Sequence, residues 1–310
     1  MNKKTYLIEK AEKGLTIQQY LKQIAGFSNA QIRSMKFTEN GICLGGQRAR
    51  VTTRLSEGDV LEVLLETKNS SSAHLLSFEQ MPDILYEDAD VIAVNKPAGM
   101  AVHPSHGHYQ DTLANQLAYY FRKNTQQVEI HSIGRLDLET SGIVLFARHR
   151  AAAARLSRQR EDGRLQKTYL AICSGIFAEK NGTLNGAIAP LPGSLMKMCV
   201  SKDGKPAVTH YQVQKQYMEA ALVRLTLETG RTHQIRVHMA DAGHPLIGDR
   251  LYFADTDQKA DVDAENCFAG IKRAALHASR ICFYQPFEGK RINVEAPFPE
   301  DMKKCLFRDE

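Results

Sequence analysis

Between residues 85 and 285 the chain carries short runs of β-branched and aliphatic residues that do not alternate regularly with helical stretches. Val91–Val94, Gly142–Ala147, Thr168–Ile176, Val208–Val213, Leu222–Leu227 and Leu276–Phe283 read as strands. Helical stretches sit between some of them, near Asp111–Phe121, Arg150–Arg160 and Thr232–Ala242. A doubly wound parallel sheet needs a helix after almost every strand. This spacing instead predicts an α+β fold with a mixed, mostly antiparallel sheet. No run approaches the roughly 18 apolar residues of a membrane span. The N-terminus, Met1-Asn2-Lys3-Lys4-Thr5, leads into polar sequence without the apolar stretch of a secretion signal. The expectation is a cytoplasmic protein without a membrane partner.

Residues 1–66 form a pattern of their own. Thr16 can cap a helix in which Ile17, Tyr20, Leu21 and Ile24 make one buried stripe. Ser28 with Gln31 is a capping box for a second short helix through Phe37, on which Arg33 and Lys36 share a face. Ile42–Leu44, a Gly45-Gly46 turn and Arg48–Val51 read as a hairpin, and Asp59–Leu64 as a closing strand. Bases on the second helix and the hairpin, Arg33, Lys36, Arg48 and Arg50, would face an RNA. The arrangement resembles the S-four-like RNA-binding domain, although its common Asn-Gly turn is Gly45-Gly46 here. Residues 67–76 are serine-rich and aperiodic and read as a linker, leaving 77–310 as the larger domain. Asp255–Glu265, rich in acids, reads as a surface loop away from RNA.

The net charge of +5 is mild, but the bases cluster. From Lys22 to Arg54 there are six bases against one acid, and from Arg148 to Lys167 seven against two. Two such stretches suit a polyanion that touches two parts of the protein; two solvated helix faces are the alternative. The six cysteines are scattered, with no C-x-x-C pair, which predicts reduced thiols and no thiolate zinc site. Neither a dinucleotide fingerprint nor a phosphate-binding P-loop is present.

Two segments carry candidate chemistry. In Gly134-Arg135-Leu136-Asp137-Leu138-Glu139-Thr140-Ser141-Gly142, an arginine and a carboxylate two residues apart precede an apolar strand and can face one cleft; a loop salt bridge is the alternative. In Leu227–His238, a strand passes through a glycine turn into a helix. There Arg231, His233, Gln234, Arg236 and His238 gather donors at the helix N-terminus, where free N–H groups attract anions. His233 and His238 lie five apart rather than four, so no helical metal site is expected.

These segments resemble the RluA-type pseudouridine synthase family. The resemblance covers Asn95-Lys96-Pro97-Ala98-Gly99 with His103-Pro104, R-L-D-x-x-T-S-G at Arg135–Gly142, Lys167-Thr168-Tyr169, and Gly204-Lys205-Pro206-Ala207 with Thr209-His210-Tyr211. It continues through Thr229–His238, Gly243–Asp249 and Leu276-His277-Ala278, all in family order. One departure is Gly134, where this branch often has histidine.

The resemblance implies isomerisation of chosen uridines in structured ribosomal or transfer RNA without a cofactor; a monomer is the default expectation. The reacting bond is inaccessible in a stacked helix, so the uridine must be flipped out. Arg135 would fill the gap in the stack, and Asp137 would be the catalytic carboxylate, as nucleophile or as base at the ribose. Tyr169 would stack on the uracil, an ordinary strand tyrosine being the alternative. Arg236 would pair with Asp137; phosphate binding is the alternative. Thr140, Lys167, Arg231, His233 and Gln234 would contact substrate, while Lys96 and His277 read as structural. A catalytically silent RNA-binding protein on the same fold is the competing reading.

Overall fold

The helices of the N-terminal unit begin at the residues that can cap them. The computed structural model describes residues 3–65, 75–105, 107–126, 128–194, 196–253 and 271–306. Strand β1 (Lys3–Leu7) is followed by α1 (Ile17–Gln23), whose cap Thr16 accepts from the Gln19 amide at 3.2 Å. Ser28 and Gln31 cap α2 (Asn29–Phe37) in the same reciprocal way. Strands β2 (Ile42–Leu44), β3 (Gln47–Arg48) and β4 (Val60–Leu64) then complete an antiparallel sheet in the order β1-β4-β2-β3. Ile17, Tyr20 and Leu21 are buried against it, but Ile24 is 55% exposed. The helix ends at Gln23, so the fourth member of the predicted stripe turns away from the core. Strand β1 has little apolar alternation, and its pairing with β4 makes it a strand.

The large sheet is built from β5 (Ile84–Glu87), β6 (Val91–Lys96), β7 (His131–Ser132), β8 (Ser141–Ala147), β9 (Gln166–Ser174) and β10 (Asn181–Asn185). After a separate small hairpin, β11 (Ile188–Pro190) with β12 (Met198–Val200), it gains β13 (Val208–Gln216), β14 (Ala220–Leu227), β15 (Leu276–Tyr284) and β16 (Arg291–Glu295). Its order is β10-β13-β14-β9-β15-β8-β6-β5, and all its pairings are antiparallel except β15 with β8. This is the mixed, mostly antiparallel α+β arrangement expected.

Every residue of β8 is buried, and its side chains alternate between two cores. Val144 and Phe146 join a core covered by α3 (Leu113–Lys123) and α5 (Gln234–Asp241). Ile143, Leu145 and Ala147 face the opposite core, with Ala152 and Leu156 of α4 (Arg150–Glu161). A strand buried on both faces reads as an unbroken apolar run, as this one does. A last helix, α6 (Glu300–Leu306), buries Met302, Cys305 and Leu306 in a third cluster.

Strands β8 and β15 pair for only two residues, His277 with Ser141 and Ala278 with Gly142. Beyond that point they part; β7 pairs with β8 and β16 with β15 in the space between. The close approach explains Gly142: its φ is +107°, and a Cβ there would lie 2.3 Å from the Ala278 carbonyl oxygen. The loop that carries Asp137 enters the sheet at this split.

The N-terminal unit rests on the first turns of α4 and on the turn after β15. Arg155 is held between the rings of Phe27, at 5.1 Å, and Phe287, at 3.9 Å, and donates to the Pro286 carbonyl at 2.7 Å. Of the predicted linker only residues 75 and 76 are described, and Asp255–Glu265 lies outside the described residues. Among the described residues, no helix is long and apolar enough to cross a membrane.

Candidate active site

Nine side chains singled out in the sequence line one cleft of about 1100 Å³: Arg135, Asp137, Thr140, Lys167, Tyr169, Arg231, His233, Gln234 and Arg236. That volume can take a nucleotide. Most of its walls come from the loop before β8, the end of α4 with the start of β9, and the turn between β14 and α5, with His103 and Leu276 adding to them.

The loop before β8 is fixed from beneath. Lys96, fully buried at the end of β6, donates to the carbonyls of Pro97 at 2.9 Å, Met100 at 2.7 Å and Leu138 at 3.1 Å. Burial pushes this amine down to about 7, with Asp137 opposing the shift. Three accepting carbonyls nevertheless require three protons, which only the ammonium form supplies. Arg273 donates to the Glu139 carbonyl at 3.3 Å while its other nitrogens clasp Asp301 at 2.7 and 3.0 Å. The Glu139 carboxylate accepts from the Ala274 amide at 3.1 Å, and the Thr140 amide donates to the Asp137 carbonyl at 3.2 Å.

Against this rigid frame, the half-buried Asp137 carboxylate has no hydrogen bond or ion pair among the described residues. Arg135, exposed at the rim, donates from Nη2 to Thr232 Oγ1 at 2.8 Å and so bridges two walls of the cleft. The loop salt bridge between Arg135 and Asp137 does not form.

The expected ion pair between Arg236 and Asp137 does not form either. The buried Arg236 guanidinium gives its fork to Asp249, with Nε–Oδ2 and Nη2–Oδ1 both 2.7 Å, and lies 5.2 Å from the Tyr252 ring centre. Asp249 is fully buried and also accepts from the Leu251 and Tyr252 amides at 3.0 and 3.3 Å. A planar guanidinium satisfies one carboxylate bidentately, and the turn after α5 brings Asp249 into that position. Burial works to discharge Arg236, but Asp249, Asp137 and Glu139 outweigh it and hold the guanidinium charged. Asp137 thus lies within the field of Arg236 without being its partner.

The remaining donors divide. Gln234 accepts from Thr229 Oγ1 and the Arg231 amide, and donates to the Val208 carbonyl and Thr209 Oγ1. Its amide is fully occupied in holding the turn, so no hydrogen-bonding capacity is left for substrate. His233 caps α5 in a left-handed conformation, φ 56°, with Nδ1 2.9 Å from the Tyr252 hydroxyl. Burial holds its imidazole below the usual range, opposed by Asp137. His238 faces away from the cleft, bonded through Nδ1 to Thr209 Oγ1 and through Nε2 to the Gly186 carbonyl. Arg231 remains exposed, with one bond to the Pro206 carbonyl at 3.0 Å. His277, buried beneath the loop, bonds Ser141 Oγ at 2.9 Å.

Tyr169 is buried on β9 between β14 and β15. Burial, reinforced by Asp137, raises its phenol well above the usual range, so it stands protonated and offers a flat ring rather than a ready base. The bases proposed for the N-terminal unit lie apart from the cleft. Arg33, Lys36, Arg48 and Arg50 are all exposed, Arg48 reaches the Lys36 carbonyl at 3.3 Å, and the Lys36 ammonium lies over the exposed Phe37 ring.

Sequence reasoning missed Asp249, Tyr252, Arg160 and Arg273. Asp249 ends a quoted motif, and an acid amid apolar residues and glycines was its one available signal. Among the described residues, no group of three or more His, Cys, Asp or Glu side chains could hold a metal.

The chain is similar to known proteins. Residues 90–241 match the family described as RNA pseudouridylate synthase. The protein named "Uncharacterized RNA pseudouridine synthase YjbO" from Bacillus subtilis is 35% identical over 293 residues, covering 94% of this chain and 98% of the relative. "Ribosomal large subunit pseudouridine synthase D" from Neisseria meningitidis serogroup A is 38% identical over 267 residues, 85% of this chain and 67% of the relative. Among solved structures, Human RNA Pseudouridylate Synthase Domain Containing 4 superposes with a TM-score of 0.60 at 25% identity, covering 73% of this chain and 92% of that one.

Proposed function

This chain belongs to the RNA pseudouridylate synthase family, of the RluA type, and from that premise we propose which residues act and on which RNA. The activity is isomerisation of uridine within RNA: the bond from ribose C1′ to uracil N1 breaks, the base turns, and C1′ joins C5. N1 gains a proton and C5 loses one, so no redox partner enters the balance.

Asp137 is the catalytic carboxylate. The observation that carries this is its unbonded side chain, set in a loop pinned by Lys96 and Arg273 while the neighbouring acids Glu139 and Asp249 are engaged. Attack on C1′ and removal of a ribose proton both need such a free, fixed carboxylate. Arg236 supplies positive potential to it from the Asp249 pair, a positioning part rather than a direct one. Tyr169 gives the uracil a flat surface, and Arg135, at the rim, fills the vacated stack. Thr140, buried next to the loop, and His233, with Arg231, shape the pocket wall.

The substrate is ribosomal RNA. Support comes from relatives whose names specify the large ribosomal subunit, and from exposed bases on a separate N-terminal unit suited to structured RNA. The enzyme would act as a monomer in the cytoplasm.

The test maps pseudouridine at nucleotide resolution in RNA from cells lacking the protein, before and after adding wild-type enzyme or Asp137→Ala. New sites in ribosomal RNA with wild type and none with Asp137→Ala are expected. Sites confined to transfer RNA would replace the substrate, and turnover by Asp137→Ala would remove the central residue. RNA binding without any new site would favour the silent binder.

A further inference from the structure

The wall of the cleft beside Gly134 holds two cations, Lys167 and Arg160, to which the mechanism above gives no part. Lys167 Nζ and Arg160 Nη1 converge on one point: a Cβ built on Gly134 would lie 3.4 Å from the first and 3.7 Å from the second. Arg160 ends the last turn of α4 and Lys167 opens β9, so the hairpin between them brings the pair together. Neither has a carboxylate partner among the described residues, and the one hydrogen bond of Lys167 runs to the Ile133 carbonyl at 3.5 Å. Glu161 lines the same cleft but is exposed and joined to neither. Lys167 is half-buried and Arg160 is exposed. Here burial, with Arg160 beside it, pushes the Lys167 amine down to about 8. Gly134, with φ +83°, keeps the space in front of both cations open.

We propose that Lys167 and Arg160 form a subsite for a phosphodiester of the RNA strand next to the flipped uridine, in the space that Gly134 leaves clear. This rests on the reading of the cleft as an RNA-modifying site. A phosphodiester brings one negative charge and two acceptor oxygens, which suits an ammionium-type point charge and a guanidinium fork on either side. Such a contact fixes the strand without reading its sequence.

The test uses the full-length chain and a transcript carrying a mapped target site. Arg160→Ala and Lys167→Ala are each expected to raise KM about tenfold with kcat held within about threefold, and to lower the salt slope of RNA binding by about 1. Lys167→Arg should restore most of the loss. Gly134→Asn, which tolerates the left-handed conformation and fills the space, should raise KM with both cations still present. Replacing the phosphodiesters flanking the target uridine by neutral methylphosphonates should weaken the wild type, and should weaken Arg160→Ala, which keeps only Lys167, by less. Unchanged KM and salt slope in Arg160→Ala, whose side chain is exposed at a helix end, would overturn the subsite. A fall in kcat alone with Lys167→Ala would also overturn it. If wild type made no pseudouridine the isomerase reading would fall, while the salt titration would still decide whether these cations hold a phosphate.

Discussion

The N-terminal unit and the catalytic cleft both present cations, but in opposite ways. On the N-terminal unit, Arg33, Lys36, Arg48 and Arg50 stand exposed, and no carboxylate among the described residues holds any of them. In the catalytic unit, Lys96, Arg236 and Arg273 are buried and each has fixed partners. Exposed charges attract a polyanion at long range, adapt to its shape and weaken with salt. Buried, fully bonded charges cannot adapt, and that rigidity keeps a free carboxylate in place. On the proposed reading the first region would supply affinity and the second geometry.

The largest effect should come from the free acid itself. Asp137→Asn is expected to lower kcat at least about 1000-fold while RNA binding in a filter or anisotropy assay stays near wild type. Equal losses of binding and turnover would erase the contrast between the two regions.

Next is the buried pair. Arg236→Ala leaves Asp249 charged in the core without its counter-ion, and should cost about 3–5 kcal/mol in urea denaturation. Asp249→Ala should cost a similar amount, and the double variant less than the two together, since the pair acts as a unit. Additive losses would mean that the two side chains do not depend on one another.

A smaller effect tests the packing under the loop. Burial pushes the His277 imidazole down to about 4. The unfolded chain titrates near 6.5 and takes up that proton first as the pH falls. Stability is therefore present above about 6.5 and drains away down to about 4, by up to about 3 kcal/mol from this group. His277→Asn should flatten that part of the denaturation profile between pH 7 and 4.5. A wild-type and variant difference that is constant with pH would show that the imidazole is not desolvated there.

Last comes the exposed face. Replacing Arg33, Lys36, Arg48 and Arg50 with alanine should reduce the salt slope of RNA binding by about 3 and raise KM about tenfold, with kcat kept at saturating RNA. An unchanged slope would take the RNA away from the N-terminal unit.

Much of this molecule can be read locally. The capping residues Thr16 and Ser28 mark two helix starts, and the unbroken apolar run of β8 marks a strand buried on both faces. Strands β1, β5 and β7 are harder, because their neighbours rather than their own patterns stabilise them. The site shows the same division. The motifs single out nine of the residues that line the cleft, yet not what each motif residue touches: Gln234 holds a turn, His238 faces the core, and Arg236 belongs to Asp249.

By itself, the sequence determined the family and the fold class and singled out Asp137 as a candidate, because caps, periodicity and motif spacing act over a few residues. Tertiary structure alone decided that Asp137 stays unbonded, that Asp249 takes the guanidinium, and that Lys167 and Arg160 meet in front of Gly134. Ion pairing depends on distances through space between residues far apart in the chain, and those distances exist only once the strands around the β8–β15 split have paired.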